Sequence, residues 1–149
     1  ESAMNKTAKT LNHQVEALND GIDFHQHAAR ETSHPGYREL FQRMAALKGR
    51  IAADLKSEIA HQGVEPDQDG TWLGSIRKGY ADLKASLKKD SDAAYIASLE
   101  EQEDRVLEAF RDALDAEQPV RVRELAARHL PEVQQMHDQM RALKKAKAA

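Results

Sequence analysis

The chain contains no cysteine. Disulfides, thiolate metal sites and cysteine nucleophiles are therefore excluded together. No apolar run approaches the roughly 20 residues needed to cross a bilayer, so no membrane association is expected. No signal peptide is visible at the start, and a cytoplasmic location is expected. There is no excess of one charge. The net charge is −3 with both signs interspersed, which argues against a nucleic-acid-binding face. Gly-rich phosphate loops, Gly-x-Ser-x-Gly and His-Glu-x-x-His are all missing, so no enzyme class has a specific warrant. Proline (4) and aromatic residues (5%) are scarce, and no alternating pattern suggests strands.

What remains is a helix-former's composition. Hydrophobic residues make up 40% and charged residues 32% of 149 positions. That is too apolar for disorder and too charged for a membrane protein. Residues 1–4 read as a cloning remnant and a start methionine, leaving residues 5–149 as a single domain.

Apolar residues recur at steps of three and four in several segments. The first runs from about Asn5 to Arg30, with Leu11, Val15, Leu18, Ile22, His25 and Ala29 on one face. "TSHPGY" ends it, and Pro35 suits the first position of a second helix, with His34 at its cap. That helix carries Tyr37, Leu40, Phe41, Met44, Leu47, Ile51, Leu55 and Ile59, with Gly63 as its stop. A shorter helix over residues 71 to 89 follows, opened by Trp72 and carrying Gly74 and Gly79. Trp72 is read as a core anchor. The next segment, from about Asp92 to Asp115, shows Ile96, Leu99, Glu103, Val106, Phe110 and Leu114. The last, opened by Pro119, shows Val122, Leu125, His129, Val133, Met136, Met140 and Leu143. Pro131 within it removes a backbone hydrogen bond and predicts a bend. Glu39 with Arg43, Glu101 with Arg105 and Glu124 with Arg128 are four apart and mark exposed faces.

Short loops make each end pair an antiparallel hairpin, whereas residues 63 to 91 are long enough to travel the length of the bundle. The expected fold is all-α. It is a ferritin-like four-helix bundle of two hairpins, joined by a long crossover containing a fifth, shorter helix. The second segment and the one from Asp92 should then run parallel.

The segments "LNHQVEALNDGIDFHQHAA", "HPGYRELFQRMAALKGRIAADL", "GTWLGSIRKGYADLKASL", "SLEEQEDRVLEAFRDAL" and "VQQMHDQMRALK" occur in that order. In order and spacing they resemble a family of uncharacterised bacterial proteins, a domain of unknown function with a ferritin-like bundle. The resemblance covers nearly the whole chain after Met4. It implies the fold and no reaction.

A di-iron bundle takes a Glu from each of two helices and Glu-x-x-His from each of the other two. Here Glu58 with His61 is the one such pair, in the last turn of its helix, and the residue three before His137 is Gln134. The motif is half missing. Three polar residues fall on apolar stripes: His25, Glu103 and His129. A last hairpin turning near Glu117 would place Glu103 and His129 at one level, as a buried structural pair. The alternative is a metal site, a di-metal centre of Fe or Mn, with Asp20 or Asp54 completing Glu103 and His129. His25 counts about a turn away from Glu103 and is not expected to join it. Of the clustered histidines, His25 should point inward, His27 outward, and His34 should cap. The expected role is non-enzymatic, through a protein partner or as a homo-oligomer, with no catalytic residue assigned.

Overall fold

The computed structural model describes residues 3–66 and 91–148, which form helices α1 (Ala3–Glu31), α2 (Pro35–His61), α3 (Ser91–Asp112) and α4 (Val120–Ala148). No strand occurs among the described residues. The expected helix over residues 71 to 89, with Trp72, Gly74 and Gly79, lies outside them.

The first hairpin turns where the sequence places the break. Pro35 opens α2 and His34 is its N-cap. The Tyr37 backbone N–H donates to His34 Nδ1 at 3.2 Å, and the His34 ring stacks on Tyr37 with centroids 3.9 Å apart. This meets one of the four donors that a helix start leaves unbonded. Arg38 reaches back to the end of α1, donating to the carbonyls of Thr32 (2.7 Å) and Ala29 (3.2 Å). At the other end of α2, Gly63 adopts φ 80°, a left-handed conformation that glycine takes without a Cβ penalty. Its N–H bonds Ala60 O and that of Val64 bonds Ile59 O, the paired closure that satisfies two final carbonyls.

The contacts fix the topology. Tyr95 meets His27, Gln102 donates to Ala17 O at 3.0 Å, and Thr10 donates to Gln118 at 3.2 Å. Helices α1 and α3 are thus antiparallel. With each hairpin antiparallel as well, α2 and α3 run parallel, and the start of α3 lies at the end of the bundle where α2 also starts. The described chain therefore has the ferritin-like connection, with residues 67–90 joining opposite ends.

The expected stripes form one core. Leu11, Val15, Leu18, Phe41, Ile51, Leu55, Ile96, Leu99, Phe110, Val122, Leu125 and Val133 are essentially inaccessible to solvent. Full burial of such a side chain contributes about 1.5–3 kcal/mol. Pro131 stays within a continuous α4, with its ring on the solvent side. Glu124 and Arg128, expected as an i,i+4 pair, each take another partner. Arg128 bonds Asp54 on α2, and Arg121 bonds Glu124 at 3.4 Å.

Candidate functional site

The centre of the bundle holds a charge cluster. Lys48 of α2, Glu103 of α3 and His25 of α1 are each fully buried. Lys48 Nζ donates to Glu103 Oε1 and lies 3.5 Å from Met136 Sδ of α4. The lysine stem passes over α1 at Gly21. A Cβ added there would come within 2.9 Å of Lys48 Cε and 3.0 Å of its Cδ. Gly21 is therefore the residue that lets a lysine cross the core.

His25 Nδ1 lies 2.9 Å from the Gly21 carbonyl. A carbonyl only accepts, so Nδ1 carries the proton of this bond. Nε2 then faces Glu103 Oε1 at 3.4 Å. Burial and the neighbouring Lys48 cation hold the His25 pKa well below its ordinary value, against the opposing bond to Gly21. The neutral ring turns a lone pair toward the carboxylate, so among the described residues it is Lys48 that compensates the Glu103 charge. Glu103 Oε2 and His25 Nε2 have no hydrogen-bond partner among the described residues. The ring edge of His25 packs against Phe41.

A second polar group lines the seam between α2 and α4. His129 Nε2 and Asp54 Oδ2 are 2.6 Å apart, and Arg128 reaches the same oxygen at 3.2 Å. Burial raises the Asp54 pKa, but the bonds and charges of His129 and Arg128 bring it below the ordinary value. One turn on, Glu58 accepts from Arg121 (2.7 Å) and Gln62 (2.8 Å). These bonds lower its pKa against the effect of burial. Asp54, Ser57, Glu58, His61 and Arg121 line an open cleft of about 420 Å³ here. The Glu58-x-x-His61 spacing is thus used by an arginine, and His61 is exposed.

The expected pairing of Glu103 with His129 is corrected. Glu103 meets Lys48 and His25, and His129 meets Asp54. The reason is the register of the second hairpin. Past Asp112 the chain continues through further turns, with Ala113 N–H on Ala109 O and Leu114 N–H on Arg111 O. Helix α4 therefore starts well beyond the end of α3. Met136, not His129, stands at the level of Glu103, seven residues or about 10 Å further along the helix. His25 also meets Glu103, contrary to the expected separation of a turn, because that contact depends on how α1 lies against α3, which the length of a hairpin loop does not give. Of the clustered histidines, His25 is buried and His34 caps α2 as expected, whereas His27, expected to point outward, is half-buried against Tyr95 of α3.

Of the four candidate metal ligands, the fold brings Asp54 and His129 together at the seam and leaves Glu103 in the core. Asp20 is fully buried on α1 beside Gly21. A di-metal centre of Fe or Mn needs several carboxylates and histidines converging at one level. Glu103 and Lys48 have as neighbours one imidazole, from His25, and one thioether, from Met136, and the Lys48 ammonium is itself hydrogen-bonded to the carboxylate. This set does not fit a di-metal centre.

These helices, their order and the crossover define a ferritin-like bundle. A point mutant of Mycobacterium smegmatis Dps1 has a similar solved structure. It is 22% identical, with a TM-score of 0.75, over 97% of this chain and 98% of that one. At that identity the likeness is one of fold. Residues 6–116 match the family described as Domain of unknown function (DUF2383), and the chain belongs to that family. No curated protein matches it.

Proposed function

We propose that this bundle acts by association rather than catalysis, through a second copy of the chain. The observation that carries the reading is the filled centre. Lys48, Glu103 and His25 are fully buried, and an internal ion pair stands where a ferritin-like enzyme would bring its ligands together.

The surface supplies a docking face. A groove of about 730 Å³ runs between α1 and α2, with Ala29, Ala45, Ala46 and Gly49 between Gln26, Arg30, Arg38 and Gln42. Gly49 is half-buried in mid-helix, and a Cβ added there would meet nothing within 4 Å. Glycine costs a helix about 0.8–1.0 kcal/mol relative to alanine, and the packing of the described residues gives no return for it. Close approach of an outside helix would. Arg30 and Arg38 border the groove, and the same two helices carry the acids Asp23 and Glu39, so a two-fold interface here would have charges of both signs to pair.

Sedimentation of wild type and Gly49→Gln tests the reading. The wild type should form a dimer, and Gly49→Gln should be a folded monomer. A wild type that stays monomeric at high concentration, or protein purified without a tag that carries stoichiometric iron or manganese, would overturn it.

A further inference from the structure

On the opposite side of the molecule, three residues that the bundle core does not use converge on the seam between α3 and α4. Glu100 and Asp104 are four apart on α3, and so share a face. His137 comes from α4. One ligand atom from each lies within 4.8 Å of the others. We infer that Glu100, Asp104 and His137 form a binding site for a divalent transition-metal cation of the zinc type.

The imidazole makes the argument. His137 is nearly buried, so packing sets its orientation. Nε2 lies 2.5 Å from Asp104 Oδ1, and Nδ1 lies 3.3 Å from Asp138 Oδ1. A neutral imidazole has one N–H and can donate to only one of these carboxylates. The other nitrogen then turns a lone pair toward a carboxylate oxygen, and two acceptors at that separation need a cation between them. A proton, on the ring or on the carboxyl group, or a metal ion can supply it. Glu100 adds a third carboxylate on the Asp104 side. Its Oε2 accepts from Lys144 at 3.2 Å, which leaves Oε1 for a metal.

The surroundings match the way metal-bound histidines are held. The ring nitrogen away from the metal commonly donates to a carboxylate that fixes the tautomer and raises ligand basicity. Asp138 stands in that place on Nδ1 and is itself anchored by Gln134 Nε2 at 3.0 Å. One imidazole and two carboxylates suit zinc, nickel or cobalt better than magnesium or calcium, which prefer oxygen alone. Bonds of about 2.0–2.2 Å require small movements only. Asp104 is more than half exposed and is free to back away from the ring and admit the ion. Three protein ligands leave one position for water. The ion would tie α3 to α4.

The probes are Zn(II) alone, followed by calorimetry and the thermal midpoint, and Co(II), whose visible absorption reports nitrogen and oxygen ligands. The protein is the full chain without a His-tag. Wild type should bind one equivalent of Zn(II) and melt higher in its presence, while Mg(II) should leave the midpoint unchanged. His137→Gln should lose the binding, and Asp138→Asn should weaken it by roughly 10–100-fold. If His137→Gln does not fold, Asp104→Asn with Glu100→Gln serves in its place. Absence of stoichiometric binding would show that the three residues hold no metal ion. Binding that survives His137→Gln, or the Asp104→Asn and Glu100→Gln pair, would place the ion at another histidine. Either result overturns the inference. Gly49→Gln should bind Zn(II) as wild type does, so the metal site and the proposed dimer fail or stand separately.

Discussion

The sharpest test of the core is a double-mutant cycle on Lys48 and Glu103. Both side chains are fully buried, and each is the other's charge partner. Lys48→Met keeps the stem that passes Gly21 and removes the ammonium, leaving the Glu103 carboxylate buried without a cation. Glu103→Leu keeps the volume and strands the ammonium instead. Removing one member of a buried pair costs about 3–5 kcal/mol, because the remaining charge is left uncompensated. Against a total stability of roughly 5–15 kcal/mol, either single change should bring the protein close to unfolding. The double variant places two apolar side chains beside Met136 and the Leu99 and Val106 layers. Such replacements range from neutral to about 1–4 kcal/mol more stable than the ion pair. The two single effects should therefore fail to add by several kcal/mol, read from urea unfolding midpoints and slopes at pH 8. A single variant too unstable to purify still tests the reasoning, since the double variant must then fold. Single changes that each cost under about 1 kcal/mol, the range of an exposed pair, would refute it. So would a double variant that loses the sum of the two.

Three further outcomes follow from the same geometry. Gly21→Ala should destabilise by about 1–3 kcal/mol, the usual cost of overpacking, whereas Gly49→Ala should stabilise the isolated bundle by up to about 1 kcal/mol. Thermal melts of the two variants under conditions that keep the chain monomeric would check the contrast. Stability should fall as pH drops below about 6.5, by up to about 1.4 kcal/mol per pH unit, because the unfolded chain protonates His25 at its ordinary pKa and the folded chain does not. His25→Gln should flatten the urea-derived stability profile between pH 6.5 and 5. Asp54 and Glu58, held below their ordinary values, contribute stability that is present above about pH 4 and lost only as the pH falls further. Asp54→Asn should therefore change the profile below pH 4.

The helices were legible because their cause is local. Steps of three and four in Leu11, Val15 and Leu18 or in Ile51, Leu55 and Ile59 bury one face whatever the partner helix is. The His34–Pro35 cap and the Gly63 stop lie within a few residues of the ends they set. The site was less legible because its cause is not local. Read by hydrophobicity, the second stripe passes through Leu47. Packing instead buries Lys48, which continues the steps from Met44 to Ile51 and Leu55. One signal was present: a glycine, Gly21, interrupts the first helix at the level where α2 brings a long side chain across. It becomes readable only once the two helices are laid antiparallel. The Glu103–His129 pairing failed for a related reason. Loop length fixes that a hairpin turns back, but not how far the chain travels along the axis before it does, and two turns of overhang exchanged His129 for Met136.

That exchange bears on function. A stripe position filled by glutamate has two physical solutions in a bundle of this kind: a shared cation from solution, or a cation carried by the chain. The first leaves the carboxylate open to exchange with whatever ion or substrate arrives. The second closes it, because Lys48 is covalently present at every encounter and no concentration of a competing ion is needed to occupy the site. Lys48 takes the second course for Glu103, and Gly21 is shaped to admit it. The divalent-ion chemistry inferred for this chain accordingly falls on the outer seam. There Asp104 and Asp138 lie against the two ring nitrogens of His137, and the Lys144 ammonium engages the neighbouring Glu100 carboxylate.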